Sequence, residues 1–151
     1  LGQAIDFLNT LLEEKNRDGV GDPARPSALV VDDEAAARDV ISLAMEMVRL
    51  KPVLADNSEN CLSILEKQNV DLIFLDIGMP GMTGFDLCAK IRALPMHERT
   101  PIVFLTGMAT FQNRVQSSLS GGNDFIGKPF NLPELGLKAL VWVYKGQLGL
   151  V

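Results

Sequence analysis

Four acidic side chains follow apolar runs of this sequence, and their type and position predict metal chemistry. Asp32, Asp33 and Glu34 come directly after one apolar run, and Asp76 follows another. Carboxylates gathered at one place raise each other's pKa, and a bound divalent cation removes that repulsion. Magnesium prefers oxygen ligands and commonly combines one or two carboxylates with a phosphate group. The acids therefore predict an Mg²⁺ site.

A hydroxyl group and an ammonium group follow two further apolar runs. Thr106 and Gly107 end the fourth run, and Lys128 comes after the fifth. A hydroxyl donor, a positive charge and a metal together can hold a phosphoryl group while a carboxylate attacks it in line. Asp76 is the natural nucleophile because carboxylates form aspartyl phosphates, and Gly107 leaves the approach open.

The elements that must position these groups are predicted by apolar runs that alternate with helical patterns. Three runs are unbroken and rich in Val, Ile, Leu and Phe, which is typical of strands covered on both faces. The alternation predicts an α/β fold with a doubly wound parallel sheet, in which ligands bind at the carboxyl ends of the strands. The predicted strands are 28–31, 53–55, 72–75, 102–105 and 124–126, and the predicted helices are 35–50, 58–68, 85–94, 110–119 and one from about 132.

The beginning of the 151-residue chain differs in character from the rest. Residues 1–18 carry apolar side chains at helical spacing, which predicts an extra N-terminal amphipathic helix with a coiled-coil-like seam. Residues 19–27 hold Gly and Pro with little apolar content and are predicted to be a linker, so the main domain is expected at 28–151. Whether the seam dimerises or docks on its own domain is left open. The seam consists of Leu1, Ile5, Leu8 and Leu12.

Charge and composition exclude several classes of function. Fourteen Lys and Arg against nineteen Asp and Glu give a formal charge of −5, so direct contact with nucleic acid is disfavoured. No apolar run approaches the roughly 20 residues that span a bilayer, and we expect no membrane contact and a cytoplasmic location. Cys61 and Cys88 are too few for a disulfide framework and are expected to be buried apolar residues.

Four motifs, in this order, resemble the receiver domain of two-component response regulators. They are VVDDE at 30–34, FLDIGMPGMTGFDL at 74–87, IVFLTG at 102–107 and DFIGKPF at 124–130. The resemblance covers about 28 to 148. It implies a flavodoxin-like five-stranded sheet of strand order 2-1-3-4-5. It also implies a phosphoacceptor switch rather than an enzyme, with at most self-phosphorylation and self-dephosphorylation.

The resemblance assigns the metal site and the phosphoacceptor residue by residue. Asp76 would be the phosphoacceptor, and the bond between Lys128 and Pro129 is expected to be cis. Mg²⁺ would be held by Asp32, Asp33, Asp76 and the backbone carbonyl of Gly78. The phosphoryl group would be contacted by Thr106, Gly107 and Lys128.

The resemblance further implies a switch and a partner. Thr106 and Phe125 would relay phosphorylation to the face formed by the helix after the fourth strand, the fifth strand and the last helix, although many receivers have tyrosine where Phe125 stands. The partner would be a sensor histidine kinase or a histidine phosphotransfer protein. The single histidine, His97, lies in a polar connection and is expected to be solvated. Self-phosphorylation from histidine would need one on a presenting helix, so the phosphoryl donor must act in trans.

Three other functions fit the sequence less well than a receiver domain does. A dinucleotide-binding fold would need a GxGxxG motif after the first strand, where this chain has acids. A magnesium-dependent aspartyl phosphohydrolase of the haloacid-dehalogenase kind would need a second acid two residues after the nucleophile, where Gly78 stands. A pseudo-receiver that binds partners without phosphorylation would not need the complete set of acids, Thr106 and Lys128.

The last predicted helix has two apolar stripes on roughly opposite faces. The first stripe should pack on the sheet, and leaving the second in water would expose a patch of the kind that marks interfaces. We expect a homodimer through the second stripe, with the N-terminal seam as the alternative cover. The first stripe is Leu132, Leu135, Ala139 and Trp142, and the second is Leu137, Val141, Tyr144 and Leu148.

Overall fold

The computed structural model contains a five-stranded parallel sheet in the order β2-β1-β3-β4-β5. It describes residues 2, 3, 6, 10, 25–107, 113, 116 and 118–151. The predicted α/β fold and strand order are confirmed, and each strand extends one or two residues beyond its predicted bounds. The strands are β1 Ser27–Val31, β2 Lys51–Ala55, β3 Leu72–Asp76, β4 Ile102–Thr106 and β5 Asp124–Gly127.

Four helices and one 3₁₀ turn have bounds within the described residues, and residues 2, 3, 6, 10, 113, 116, 118 and 119 are also helical. The seam predicted at Leu1, Ile5, Leu8 and Leu12 lies outside the described residues, as does most of the helix predicted at 110–119. The helices are α1 Ala35–Met47, α2 Ser58–Lys67, α3 Gly84–Arg92 and α4 Leu132–Gln147, and the 3₁₀ turn is Pro95–His97.

Three of the helices begin at a side-chain cap that the sequence supplies just after a strand or loop. The side-chain oxygens of Asn57, Thr83 and Asn131 each accept a hydrogen bond from the backbone N–H three residues on, at 2.8, 3.2 and 3.1 Å. Such caps satisfy backbone donors that the first turn of a helix leaves without a partner. They fix where α2, α3 and α4 start relative to the sheet edge.

The first helix ends earlier than its apolar pattern predicts. Arg49 adopts a positive φ of 61°, and the N–H of Leu50 returns to the carbonyl oxygen of Met45 at 2.9 Å. This left-handed C-terminal turn is a common way to stop a helix. It brings Leu50 into the core, where only 1% of its surface is exposed.

The apolar core lies on both faces of the sheet. Successive side chains of β1, β3 and β4 point to opposite faces, so both faces of these strands are buried. Phe74 joins the cluster under α1 and α4, and Phe104 joins the cluster under α2 and α3. Cys61 and Cys88 are free and buried in the second cluster, as the sequence predicts.

The prediction that His97 is solvated is wrong. Its side chain is fully buried, with Nε2 3.2 Å from the carbonyl oxygen of Leu65 and Nδ1 3.0 Å from Oγ1 of Thr100. The 3₁₀ turn Pro95–His97 places the ring against the last turns of α2, and both ring nitrogens find partners there. Polar neighbours in the sequence therefore gave no indication of its environment.

The two stripes predicted on α4 are only partly seen. Leu135 and Ala139 are buried, whereas Leu132 and Trp142 are only partly buried. In the second stripe Leu148 is 46% exposed, while Leu137, Val141 and Tyr144 are half-buried. Of the second stripe, Tyr144 packs against the cluster under α1 and α4. At Gly136 a β-carbon would lie 2.9 Å from Cγ1 of Val48.

Candidate functional site

Three carboxylates converge at the carboxyl edge of the sheet. Asp32 and Asp33 follow β1, and Asp76 ends β3, which pairs with β1 in parallel register at Val31 and Leu75. Carboxylate oxygens of the three acids all lie within 4.8 Å of one another. Asp32 is fully buried and Asp76 is 5% exposed, whereas Asp33 is exposed. The cluster is thus enclosed on two sides and open to solvent at Asp33.

Every polar group of Asp32 has a partner. Its N–H donates to the carbonyl oxygen of Ala55 at 3.2 Å, and its own carbonyl oxygen accepts from Nη1 of Arg38 at 2.7 Å. In the side chain, Oδ1 accepts from the N–H of Glu34 at 3.0 Å, and Oδ2 accepts from Nζ of Lys128 at 2.9 Å. A buried carboxylate requires such partners, because an unpaired charge is costly in the interior. Asp32 is therefore held in one orientation.

Lys128 reaches the same cluster from the end of β5, the edge strand of the sheet. The Lys128–Pro129 bond is cis, as expected. The ammonium group lies 2.9 Å from Oδ2 of Asp32 and 3.6 Å from Oδ1 of Asp76. Burial alone lowers the pKa of Lys128, but its hydrogen bond to Asp32 and the charges of Asp76 and Asp32 outweigh burial and raise the pKa. The amine therefore stays protonated beside the acids.

Asp76 is an acid in a place that disfavours its charge. Burial raises the pKa of Asp76, and the negative charge of Asp32 raises it further. Lys128 and the N–H of Gly78, which donates to Oδ1 of Asp76 at 3.3 Å, act in the opposite direction without cancelling the rise. The three carboxylates are therefore incompletely compensated by Lys128, and an added cation would be electrostatically favoured.

Thr106 and Gly107 lie at the same edge, after β4. Thr106 is 5% exposed, and its carbonyl oxygen accepts from the N–H of Lys128 at 2.7 Å. A β-carbon at Gly107 would meet no atom of the described residues within 4 Å, so these residues leave the space above this position open. The structure thus brings Thr106, Gly107 and Lys128 to the edge that carries the acids. For Gly78 it shows the N–H contact to Asp76, and the role of its carbonyl as a metal ligand stays a prediction.

The loop after β3 depends on two glycines. Gly81 has a φ of 84°, a conformation that side-chain-bearing residues rarely adopt. At Gly84 a β-carbon would lie 2.5 Å from the carbonyl oxygen of Asp76, so only glycine allows α3 to start this close to the acid. The loop is thereby folded tightly beneath Asp76.

Phe125 lies on β5, the edge strand beside β4. It is half-buried and packs against the cluster that contains Phe104, its neighbour on β4. The preceding residue, Asp124, accepts from Nε1 of Trp142 at 2.8 Å and from Nζ of Lys138 at 3.2 Å. These contacts tie the beginning of β5 to α4.

Two contacts of this region were missed by the sequence reasoning. Arg38 lies in the first turn of α1, close after the acids, and that placement was the available signal. The contact of Asp124 with Trp142 joins residues 18 apart in sequence, and no local pattern marked it. Both could be seen only once the helices had been placed against the sheet.

Comparison with known proteins agrees with this geometry. The sheet order and the acidic edge define a flavodoxin-like domain of the CheY kind. The profile of the response regulator receiver domain matches residues 28–139. The chain therefore belongs to the response regulator receiver family. Domains of this family serve two-component signalling and interact with sensor histidine kinases.

Solved structures share the fold over most of this chain. Chemotaxis protein CheY4 of Vibrio cholerae has a TM-score of 0.74 at 30% identity, covering 80% of this chain and 99% of that one. A CheY-like receiver domain protein of Methanospirillum hungatei has a TM-score of 0.77 at 25% identity, covering 83% of this chain and 99% of that one.

Relatives in sequence include proteins longer than this chain. The phosphate regulon transcriptional regulatory protein PhoB of Pseudomonas aeruginosa is 34% identical over 107 residues, which are 71% of this chain and 47% of that protein. An uncharacterized 14.6 kDa protein of Leptolyngbya boryana is 36% identical over 112 residues, which are 74% of this chain and 86% of that protein. The chain spans about half the length of the transcriptional regulators that it matches.

Within the part of the chain that the structure describes, no helix combines the length and the apolar character needed to cross a bilayer.

Proposed function

We propose that this chain is a phosphorylatable switch that accepts a phosphoryl group from a phosphohistidine onto Asp76 with Mg²⁺. The convergence of three carboxylates within 4.8 Å, with the ammonium group of Lys128 3.6 Å from Asp76, carries the proposal. The same proposal makes the chain a phosphoacceptor rather than an enzyme acting on other molecules.

The donor set of the acidic edge fits Mg²⁺. Its side-chain donors are carboxylate oxygens, which are hard ligands, and the exposure of Asp33 leaves room for the waters that Mg²⁺ retains. Mg²⁺ bound here would supply positive charge between the carboxylates and an incoming phosphoryl group. The residues that would hold it are Asp32, Asp33, Asp76 and Gly78 through its carbonyl oxygen.

Asp76 would act as the nucleophile of the transfer. One of its carboxylate oxygens forms a bond to phosphorus while the phosphorus–nitrogen bond of the phosphohistidine breaks, and the released imidazole nitrogen takes a proton from solvent. Lys128 and the hydroxyl of Thr106 would contact the transferred phosphoryl oxygens, with Gly107 leaving their approach open. Such contacts stabilise the charge spread over those oxygens in the transition state.

The phosphoryl donor would come from a partner protein. His97 is the only histidine of the chain, and it is fully buried with both ring nitrogens at hydrogen-bond distance from protein oxygens. It therefore cannot present a phosphoryl group to Asp76. The proposed partner is a sensor histidine kinase or a histidine phosphotransfer protein.

The response to phosphorylation would run through Thr106 and Phe125. A phosphoryl oxygen draws the Thr106 hydroxyl inward, and Phe125 repacks into the space that is vacated. Because phenylalanine has no hydroxyl group, only packing supplies the energy of this step. The change would reach β5 and α4, and the proposed homodimer would form on the outer stripe of α4: Leu137, Val141, Tyr144 and Leu148.

Phosphorylation by a small donor tests the proposal. Phosphoramidate contains a phosphorus–nitrogen bond like that of phosphohistidine, so it is a suitable donor. With Mg²⁺ the intact mass of the wild type should rise by one phosphoryl group, and Asp76→Asn or removal of Mg²⁺ with a chelator should abolish the rise. An unmodified wild type would overturn the proposal and favour a pseudo-receiver, whereas an equal mass rise for Asp76→Asn would overturn the assignment of the acceptor.

A further inference from the structure

The side chain of Arg38 contacts the acidic edge at a main-chain carbonyl group rather than at a carboxylate. It lies in the first turn of α1 and is half-buried. Its Nη1 donates to the carbonyl oxygen of Asp32 at 2.7 Å, a short hydrogen bond strengthened by the charge of the guanidinium group. The contact therefore holds the backbone of the loop between β1 and α1.

The peptide held in this way joins two of the proposed metal ligands. The carbonyl group of Asp32 belongs to the peptide plane whose nitrogen belongs to Asp33. Rotation of this plane would move the Asp33 side chain relative to that of Asp32. The Asp32 side chain is already fixed by the N–H of Glu34 and by Lys128, at 3.0 and 2.9 Å. The orientation of Asp33 relative to Asp32 therefore depends on the hydrogen bond from Arg38 to this carbonyl oxygen.

We propose that Arg38 is a positioning residue of the metal site, whose guanidinium group fixes the Asp32–Asp33 peptide so that both carboxylates face one cation. The inference rests on the proposed function, because it concerns the same Mg²⁺ site. Groups that orient metal ligands from outside the coordination shell typically change metal affinity about 10- to 100-fold when they are removed.

The sign of the effect distinguishes positioning from simple electrostatics. A positive charge beside an anionic pocket repels a cation, so loss of the Arg38 charge alone would tighten Mg²⁺ binding. Loss of a positioning contact would weaken it. The two mechanisms thus predict opposite changes for the same substitution.

The test compares Mg²⁺ affinity by isothermal titration calorimetry in the full chain. Arg38→Met retains the aliphatic stem and removes the donor, and we expect binding about tenfold weaker than that of the wild type. Arg38→Lys keeps the charge but not the planar fork, and we expect binding weaker by at least about twofold. Asp33→Ala is the positive control for a lost ligand. Lys51→Met is the charge control, because Lys51 is exposed at the opposite end of the sheet, and it should bind as the wild type does.

Several outcomes would overturn the inference. Unchanged or tighter Mg²⁺ binding by folded Arg38→Met would overturn it, as would a loss of thermal stability in both variants without any loss of affinity. If Arg38→Met does not fold, as judged by circular dichroism, the decision passes to Arg38→Lys, where wild-type affinity would overturn the inference. A wild type that binds no Mg²⁺ would overturn the proposed function together with this inference. If the wild type binds Mg²⁺ and the folded Arg38 variants bind it equally well, only the inference is overturned.

Discussion

The ammonium group of Lys128 lies 2.9 Å from Oδ2 of Asp32, so a short ion pair joins the end of β5 to the end of β1. Strands β3 and β4 lie between these two strands in the sheet. The pair therefore spans the carboxyl edge above Asp76. Asp32 is fully buried in this pair, whereas the Lys128 side chain is 22% exposed.

Removing the lysine should destabilise the protein and Mg²⁺ should offset the loss. Breaking a buried pair leaves an uncompensated carboxylate and costs about 3–5 kcal/mol, and the partial exposure of Lys128 reduces this to about 1–3 kcal/mol. We expect this loss for Lys128→Met in urea unfolding without Mg²⁺, and a smaller loss with Mg²⁺. Lys90→Met, at an exposed position of α3, is the control. Wild-type stability of Lys128→Met without Mg²⁺ would contradict the ion-pair account.

Asp76→Asn should be more stable than the wild type at neutral pH in the absence of Mg²⁺. Burial, and then the charge of Asp32, raise the pKa of Asp76 above its unfolded value. Between those two pKa values the native state binds more protons than the unfolded state, so wild-type stability falls as pH rises through that window. The amide variant avoids this loss.

Thermal unfolding at several pH values measures this difference. The advantage of Asp76→Asn should be present at neutral pH, shrink as pH falls through the window between the two pKa values, and be absent below the ordinary aspartate pKa of about 4. Asp39→Asn, at an exposed position of α1, should show no such pH-dependent gain. An advantage that was constant with pH would mean that charge at Asp76 is not its cause.

Trp142 should report the switch. It is the only tryptophan of the chain, and its Nε1 donates to Asp124, the residue next to Phe125. Beryllofluoride with Mg²⁺, which stands in for the phosphoryl group, should change the fluorescence of Trp142 in the wild type and not in Asp76→Asn. Phe125→Ala should respond less, since it lacks the ring that repacks. An equal response by Phe125→Ala would rule out coupling through this ring.

Self-association through α4 predicts a dimer at tens of micromolar. Fully covering an exposed apolar side chain contributes roughly 1.5–3 kcal/mol, and the remaining exposed surface of the outer stripe of α4 would gain part of this from a partner copy. Light scattering should give a dimer mass for the wild type and a monomer mass for Val141→Asp. Leu43→Asp, at a 53% exposed position of α1, should remain dimeric. A monomeric wild type would contradict the dimer proposal and favour the alternative that residues 1–18 pack against the outer stripe of α4.

The strands and the acids could be predicted from the sequence because their signals are local. The buried strands are unbroken apolar runs, and the acids stand directly at their ends, so parallel order alone places Asp32 near Asp76. The burial of His97 could not be predicted, because it depends on a carbonyl oxygen of Leu65, 32 residues away. The hydrogen bond from Arg38 to the carbonyl oxygen of Asp32 could not be predicted either, because it depends on the direction in which α1 leaves the loop.

The partial burial of the outer stripe of α4 could not be predicted for a different reason. Helical periodicity shows which side chains share a face, but not which helix lies alongside. Tyr144 is partly covered within the chain because it packs against the cluster under α1 and α4, and that contact is a property of tertiary packing.

Mapping the phosphorylated residue tests the central claim most directly. After reaction with phosphoramidate and Mg²⁺, borohydride reduction converts an aspartyl phosphate to homoserine, and peptide mass spectrometry then locates the changed residue. The account predicts homoserine at position 76 in the wild type, dependent on Mg²⁺ during the reaction. Conversion at another aspartate with Asp76 intact, or no conversion at all, would contradict it.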